Sequence, residues 1–447
     1  MITKPSMAMP VVLLMLLSAC GGGGGASSAA ASNGSNSAAI APAPAPAPAP
    51  TSIVPGAFAP FRPTVLLSNF PTTADHGLLS AARLTGGGSV VAWSDGASAF
   101  VQRLDASGSP VAGPQTVGAV LTGDSAVNTR LSAAATVDGG WLVAWIAPDR
   151  TLSVQRYDAS GAPVGPAMPI DATAFSKVLC IQARAMPDGT FVLAWVAAED
   201  TNATHAFVRH FSAAGSVLTD RVMIGDSAGA QSAVQITPLA DGNFVAAWLQ
   251  ANADGTDTLL AGRLDAGLNA TAPVQVLQPA APRQTNNFLG AASLPQGGAL
   301  FAWRHYADVE EVRWQVLDAS GAPMLPVGSP GSSGDLGWTI VDSVEVVPAA
   351  TGFRVVAEMT TTNYRQTQAR TVVVNVSTAG ENLGVTGSTR DLQSIDAVTG
   401  AGCLGPFGSR PGVAAAGGGD GHYLLAYGDC AGRTAPRGVP SLWVVGY

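Results

Sequence analysis

Val90-Val91-Ala92-Trp93, VVAW in one-letter form, returns at LVAW (142–145), VLAW (192–195), VAAW (245–248) and LFAW (300–303). Two degenerate copies follow, VVAE (355–358) and LLAY (424–427), at a period of about fifty residues. Each run is short, apolar and preceded by a glycine turn. A repeat of this length is one supersecondary unit that cannot bury its own hydrophobic face and must stack on its neighbours.

The second unit shows the plan. A small-residue run from Thr129 to Val137 is followed by the turn Asp138-Gly139-Gly140 and the apolar strand Trp141 to Trp145. Leu152 to Tyr157 reads as a third strand, and Asp158-Ala159-Ser160-Gly161 as a second turn. Val164 to Ile170 is a fourth strand broken by Pro166 and Pro169, which confines it to an edge. The other units repeat both turns, as at Asp188-Gly189 and Asp318-Ala319-Ser320-Gly321. Runs this short, punctuated by Gly every eight to twelve residues, exclude helices.

Four antiparallel strands make one propeller blade, so the expected fold is all-β, a seven-bladed β-propeller. Trp and Ala alternate along the second strand, so a bulky side chain of one blade can fill the space over a small one of the next. The seventh unit has three strands, Gly412–Ala416, Tyr423–Tyr427 and Leu442–Tyr447, and then the sequence stops. Pro63 to Phe70 is an orphan strand ahead of the first unit. It is expected to enter the last blade and close the ring, leaving only short edges.

The repeat resembles those of bacterial secreted and lipoprotein β-propellers over about residues 62–447. It lacks the Trp-Asp dipeptide of WD repeats. Its glycines precede the apolar strand, whereas the kelch double glycine follows it. Neither family's binding function therefore transfers.

Hydrophobic residues are 47% and charged residues 12%, which suits sheets buried on both faces. The formal charge of −8, with 22 Lys and Arg dispersed along the chain, argues against a nucleic-acid partner. The N-terminus has the form of a processing signal: Lys4, an apolar run from Val11 to Leu17, then Leu17-Ser18-Ala19-Cys20. It resembles the lipobox of bacterial lipoproteins, which implies that 1–19 is removed and that Cys20 is lipidated. Residues 20–52 read as the lipidated cysteine and a Gly/Ala/Ser/Pro tether, and 53–447 as the propeller head. The Ala-Pro run from Ala41 to Pro50 should be an extended polyproline stalk of roughly 30 Å. Gly21 rather than Asp after the cysteine implies, by resemblance to Gram-negative sorting, the outer membrane; periplasmic or surface face stays open.

Gly225-Asp226-Ser227-Ala228-Gly229 fits G-x-S-x-G, but that elbow needs a strand-to-helix turn in an α/β sheet. The five histidines form no zinc spacing, and no metal or cofactor is expected. The Asp-Ala-Ser-Gly turns resemble the sialidase Asp-box without its downstream aromatic. Cys180, in KVLCIQA, reads as a small buried apolar residue. Cys403 and Cys430 fall in loops at one end of the last blade, and a disulfide between them is expected in an oxidising envelope.

The glycine turns share one face of the ring, and the loops that vary from unit to unit share the other, which is the better candidate for recognition. Its richest stretch is Arg304-His305-Tyr306-Ala307-Asp308, joined by Trp338 and by Tyr364-Arg365. The expected function is a non-enzymatic binding or scaffolding lipoprotein with a monomeric head. Its partners would be the bilayer, through the lipid, and an envelope protein or polysaccharide. The alternative is an envelope hydrolase or lyase acting on glycans through loop carboxylates.

Overall fold

In the computed structural model, residues 65–69, 79–95, 97–121, 131–200, 203–225, 229–282, 289–294, 297–306, 310–330, 340–363, 366–392, 413–417, 423–429 and 441–446 are described. Residues 51–447 form one compact unit. Among the described residues every regular element is a β-strand.

The first strand, β1 (Val65–Asn69), precedes the repeats. The first sheet contains β2 (Leu79–Arg83), β3 (Ser89–Ser94), β4 (Ser98–Leu104) and β5 (Gln115–Ala119). The second holds β6 (Leu131–Ala135), β7 (Trp141–Ile146), β8 (Leu152–Tyr157) and β9 (Met168–Pro169). The third holds β10 (Lys177–Ala185), β11 (Phe191–Ala198), β12 (His205–Phe211) and β13 (Val222–Ile224). The fourth comprises β14 (Gln231–Pro238), β15 (Phe244–Ala251), β16 (Thr256–Leu264) and β17 (Gln275–Pro282).

In the fifth sheet are β18 (Leu289–Ser293), β19 (Ala299–Tyr306) and β20 (Glu310–Leu317). The sixth is built from β21 (Ile340–Ala349), β22 (Gly352–Asn363), β23 (Gln366–Ser377) and β24 (Asn382–Leu392). The last strands are β25 (Val413–Gly417), β26 (Tyr423–Asp429) and β27 (Ser441–Gly446), in a sheet of order β1-β27-β26-β25. Among the described residues these are successive antiparallel sheets, four-stranded except for the three-stranded fifth, the architecture of a β-propeller.

The N-terminal strand is hydrogen-bonded to the C-terminal one, with Val65 opposite Val444 and Ser68 opposite Leu442. The first strand of each sheet lies against the first strand of the next, from β2 and β6 through β21 and β25, and β25 lies against β2.

Packing follows the Trp/Ala alternation. Trp145 of the second sheet buries itself with Val90 and Ala92 of the first. In the same way Trp195 packs with Ala144, Trp248 with Ala194 and Trp303 with Ala247. The second strands are buried on both faces, which is why their sequences are apolar runs rather than alternations. Gly118 of β5 marks a close approach: a Cβ there would lie 2.9 Å from the Trp145 ring.

The sixth unit corrects the letter-by-letter alignment. Ala357 pairs with Val344 and packs with Leu300 and Ala302 of the fifth sheet, the place Trp303 takes one sheet earlier. The equivalent run is therefore Phe353 to Ala357, and Glu358 is displaced by one residue onto the opposite face. There it is buried, opposite Ser343 on one side and Thr371 on the other.

Turns are held by one recurrent device. Asp318 Oδ1 accepts hydrogen bonds from Ser320 N at 2.8 Å, Ser320 Oγ at 2.6 Å and Ala322 N at 3.0 Å. Asp158 makes the same set with Ser160 and Ala162, and Asp105 with Ser107 and Ser109. The side chain thereby supplies the acceptor that orders the turn. In the fourth sheet the left-handed position of this turn falls on Leu268 (φ 66°) rather than on a glycine.

Neighbouring sheets are clasped at the same end. His210 Nδ1 donates to Ala266 O at 3.0 Å, and Arg263 Nε donates to Ala319 O at 2.9 Å, each reaching the second turn of the following sheet. The fourth strands vary in length, from the proline-flanked β9 to β24, which spans 11 residues. β9 spans two residues, and among the described residues the fifth sheet continues only as bridges of Leu317 to Pro323 and Trp314 to Gly328. Gln155 and Gln315 compensate by donating to Gly165 O at 3.1 Å and to Leu325 O.

Candidate functional site

Two places gather polar chemistry. One is the β19–β20 hairpin, where Arg304 and His305 lie on β19. Arg304 is held by Glu310 at 2.6 Å, and Glu310 also accepts from Val341 N. His305 Nδ1 meets Gln278 Oε1 at 2.8 Å, the atom that also accepts from Trp303 Nε1. Its Nε2 stands 3.9 Å from Glu311, which is itself gripped by Arg313 and receives Ser329 Oγ at 3.2 Å. Burial lowers the pKa of His305, and the Arg313 charge lowers it further against the pull of Glu311. With 16% and 9% of their side chains exposed, Arg304 and His305 are turned into the sheet network.

Tyr306 ends β19, whereas Asp308, Trp338, Tyr364 and Arg365 lie outside the described residues, as do Cys20, Cys403 and Cys430. Cys180 is buried, and burial pushes its thiol up to about 11. Gly225 and Gly229 flank the join of β13 to β14, a strand-to-strand connection. A second network on the variable-loop side joins the ends of the third sheet. Arg221 reaches Asp171 at 3.5 Å and pairs with Glu199, while its guanidinium lies 4.6 Å from the Phe207 ring centroid.

The other place is the row of first strands. Aligned on their pairing with the second strands, their cores read LSAAR, LSAAA, IQARA, VQITP, LGAAS, VEVVP and VAAAG. The second and fourth positions of these cores share one face. There Ser80 Oγ accepts from Ala133 N at 2.9 Å and Ser132 Oγ from Ala183 N at 3.0 Å, so each sheet is tied to the next. Gln235 Nε2 continues the series by donating to Leu289 O at 2.6 Å. Gly290 stands where any Cβ would meet the β21 backbone at 3.0 Å.

Among fourteen such residues two are charged, Arg184 on β10 and Glu345 on β21, and both are half-buried. Arg184 donates to Ala183 O at 2.8 Å, Gln182 Oε1 at 3.3 Å and Gln235 Oε1 at 3.1 Å. Its acceptors are all neutral. Enclosure by the surrounding protein pushes Glu345 up to about 7, with the Arg184 charge drawing it back. The same enclosure lowers the pKa of Arg184, opposed by Glu345. Each feels the other's charge, although they belong to the third and sixth sheets. Sequence reading missed both. The available signal was a charged residue at the second or fourth position of an otherwise small or neutral first strand.

No family model matches this chain. No curated protein matches it either. Among solved structures it is similar to a protein of unknown function from Dyadobacter fermentans, with 12% identity over 74% of this chain and 98% of that one, at a TM-score of 0.44. It is similar also to an α-L-arabinanase from Penicillium chrysogenum complexed with arabinobiose (13% identity, 73% and 97% covered, TM-score 0.44). A third is the WD40 domain of coronin from Toxoplasma gondii (10% identity, 87% and 85% covered, TM-score 0.40). Likenesses this distant carry neither a ligand nor a reaction to this chain.

Proposed function

We propose that the chain is a binding or scaffolding lipoprotein of the bacterial outer membrane, a closed seven-bladed propeller that engages an envelope protein or polysaccharide without transforming it. The lipid on Cys20 anchors it, and the tether of residues 21–52 lifts the head from the bilayer. The pairing of β1 with β27 and the contact of β25 with β2 support closure. A Cys403–Cys430 disulfide, stabilising by roughly 3–4 kcal/mol, would pin the closing blade.

One observation carries the non-catalytic reading: several turn and hairpin carboxylates, Asp105, Asp158, Asp318, Glu310 and Glu311 among them, are already holding the fold. Asp158 and Asp318 are kept below the usual carboxylate range, first by the Ser160 and Ser320 hydroxyls and then by backbone N–H groups. A carboxyl that stays ionised down to such acidity is a poor proton donor near neutral pH. Glu310 and Glu311 are each tied to an arginine. Incubating the full chain with envelope polysaccharide and with envelope protein extract tests the reading. Saturable binding with both partners recovered intact is expected, and shortened glycan chains would overturn it.

Glu345 favours a second reading, an envelope hydrolase or lyase acting on glycans. A carboxyl pushed up to about 7 is poised as a general acid. That reading requires a second carboxylate across the scissile bond. It predicts that Glu345→Gln abolishes glycan cleavage.

A further inference from the structure

We propose that the glycine-turn end of the head docks on the bilayer, through apolar side chains that stand at one equivalent position in successive sheets. This deepens the lipoprotein reading and rests on it, because the lipid on Cys20 brings the head to that surface.

Backbone bonding fixes the position. After the second turn of each of the first five sheets the chain doubles back along the third strand. There Val111 N donates to Arg103 O at 3.1 Å, Val164 N to Arg156 O at 2.8 Å and Leu218 N to His210 O at 2.9 Å. Thr271 N donates to Arg263 O at 2.9 Å and Met324 N to Val316 O at 3.0 Å. In the sixth sheet Leu383 follows Asn382, whose pairing with Val376 gives it the same place. All but Thr271 are large and apolar, and each of those is between 44% and 56% exposed. A single exposed apolar side chain is ordinary. One left exposed at the same place in sheet after sheet makes an interaction surface.

The topology says what covers it. In a four-stranded meander the fourth strand starts at the end that carries the turns. β1 is the fourth strand of the last sheet, and its first residue, Val65, lies opposite Val444 near the end of β27. The chain that precedes Val65, Cys20 included, therefore joins the head at the end that carries the apolar positions. Equivalent positions around a closed ring lie in one plane, and a bilayer is the flat partner that meets them together, taking apolar side chains at its headgroup boundary. A bound peptide would span neighbouring sheets only. A second copy would bring the turn aspartates Asp105, Asp158 and Asp318 against their own kind. The same charges favour zwitterionic over anionic headgroups. A head docked this way turns its variable loops away from the membrane.

Hydroxyl-radical footprinting of the full chain, made in bacteria and mixed with phosphatidylcholine vesicles, tests this with two exposed methionines as reporters. Met324 is one of the docking residues at 46% exposed, whereas Met223, 39% exposed, lies opposite Phe207 towards the variable-loop end. On vesicles Met324 should be oxidised at least about threefold less than Met223. A Val164→Asp, Leu218→Asp chain should lose that shielding at an unchanged melting temperature. A chain that floats with the vesicles while both methionines oxidise alike overturns the docking and leaves the anchor. A chain that does not float with them overturns the anchor, and the docking with it. Shielding of Met324 that persists in detergent with a dimer mass gives the surface to a second copy and overturns the bilayer.

Discussion

At the scale of single residues, the chain spends its polar groups on holding backbone. Asp158 and Asp318 have depressed pKa values, so their contribution is full above the unfolded carboxylate value and is lost as pH falls through the folded one. Denaturation midpoints should therefore drop as the solution is taken below about pH 4. A chain equally stable at pH 3 would contradict the turn device. Glu345 behaves oppositely. Its folded value lies above its unfolded one, so ionising it costs stability as pH rises from about 4.5 towards 7. Glu345→Gln should therefore melt higher than the unmodified chain at pH 8 and level with it near pH 4. Gly118→Ala should cost about 1–3 kcal/mol, because the rigid Trp145 ring must move. An unchanged melting temperature would mean that this close approach is not real.

At the scale of elements, stability lies between sheets as much as within them. Arg263 ties together the first turn of its own sheet through Asp241, Thr271 on the connection after β16, and Ala319 O on the fifth sheet. Arg263→Ala should cost about 1–2 kcal/mol, with faster hydrogen exchange in the turn 318–321. Exchange confined to the fourth sheet would deny the clasp. The second strands were legible because Trp, Ala and a preceding glycine turn recur together. The sixth copy misled because its aromatic is gone from the strand's end. Ala357 takes that place, and only pairing with Val344 shows the shift. The fourth strand of the second sheet came out shorter than residues 164–170, since proline cannot donate to a ladder, and there Gln155 donates to Gly165 O instead. Arg304 and His305, chosen for loop richness, lie on β19, where Arg304 pairs with Glu310 and His305 meets Gln278 of the fourth sheet. The charged face of the first strands was hidden, because one Arg in QARA or one Glu in VEVV looks like ordinary polar variation until the seven strands are superposed.

At the scale of the whole molecule, everything turns on how the repeat ends. A three-stranded last unit and an orphan strand before the first were both visible in the sequence. Their pairing in the structure gives the array no free terminal sheet edge on that side. Deleting residues 53–72 should expose β27, lower the melting temperature and promote self-association; a stable monomer would count against the closing role of β1. The most direct measurement is the Ser68→Cys, Leu442→Cys cross-link, read by mass spectrometry of unreduced peptides. Facing strand residues lie at a separation that a disulfide can span. The account predicts a single intramolecular bond between residues 68 and 442 in the folded monomer. Two free thiols there, or a bond found only between chains, would contradict it.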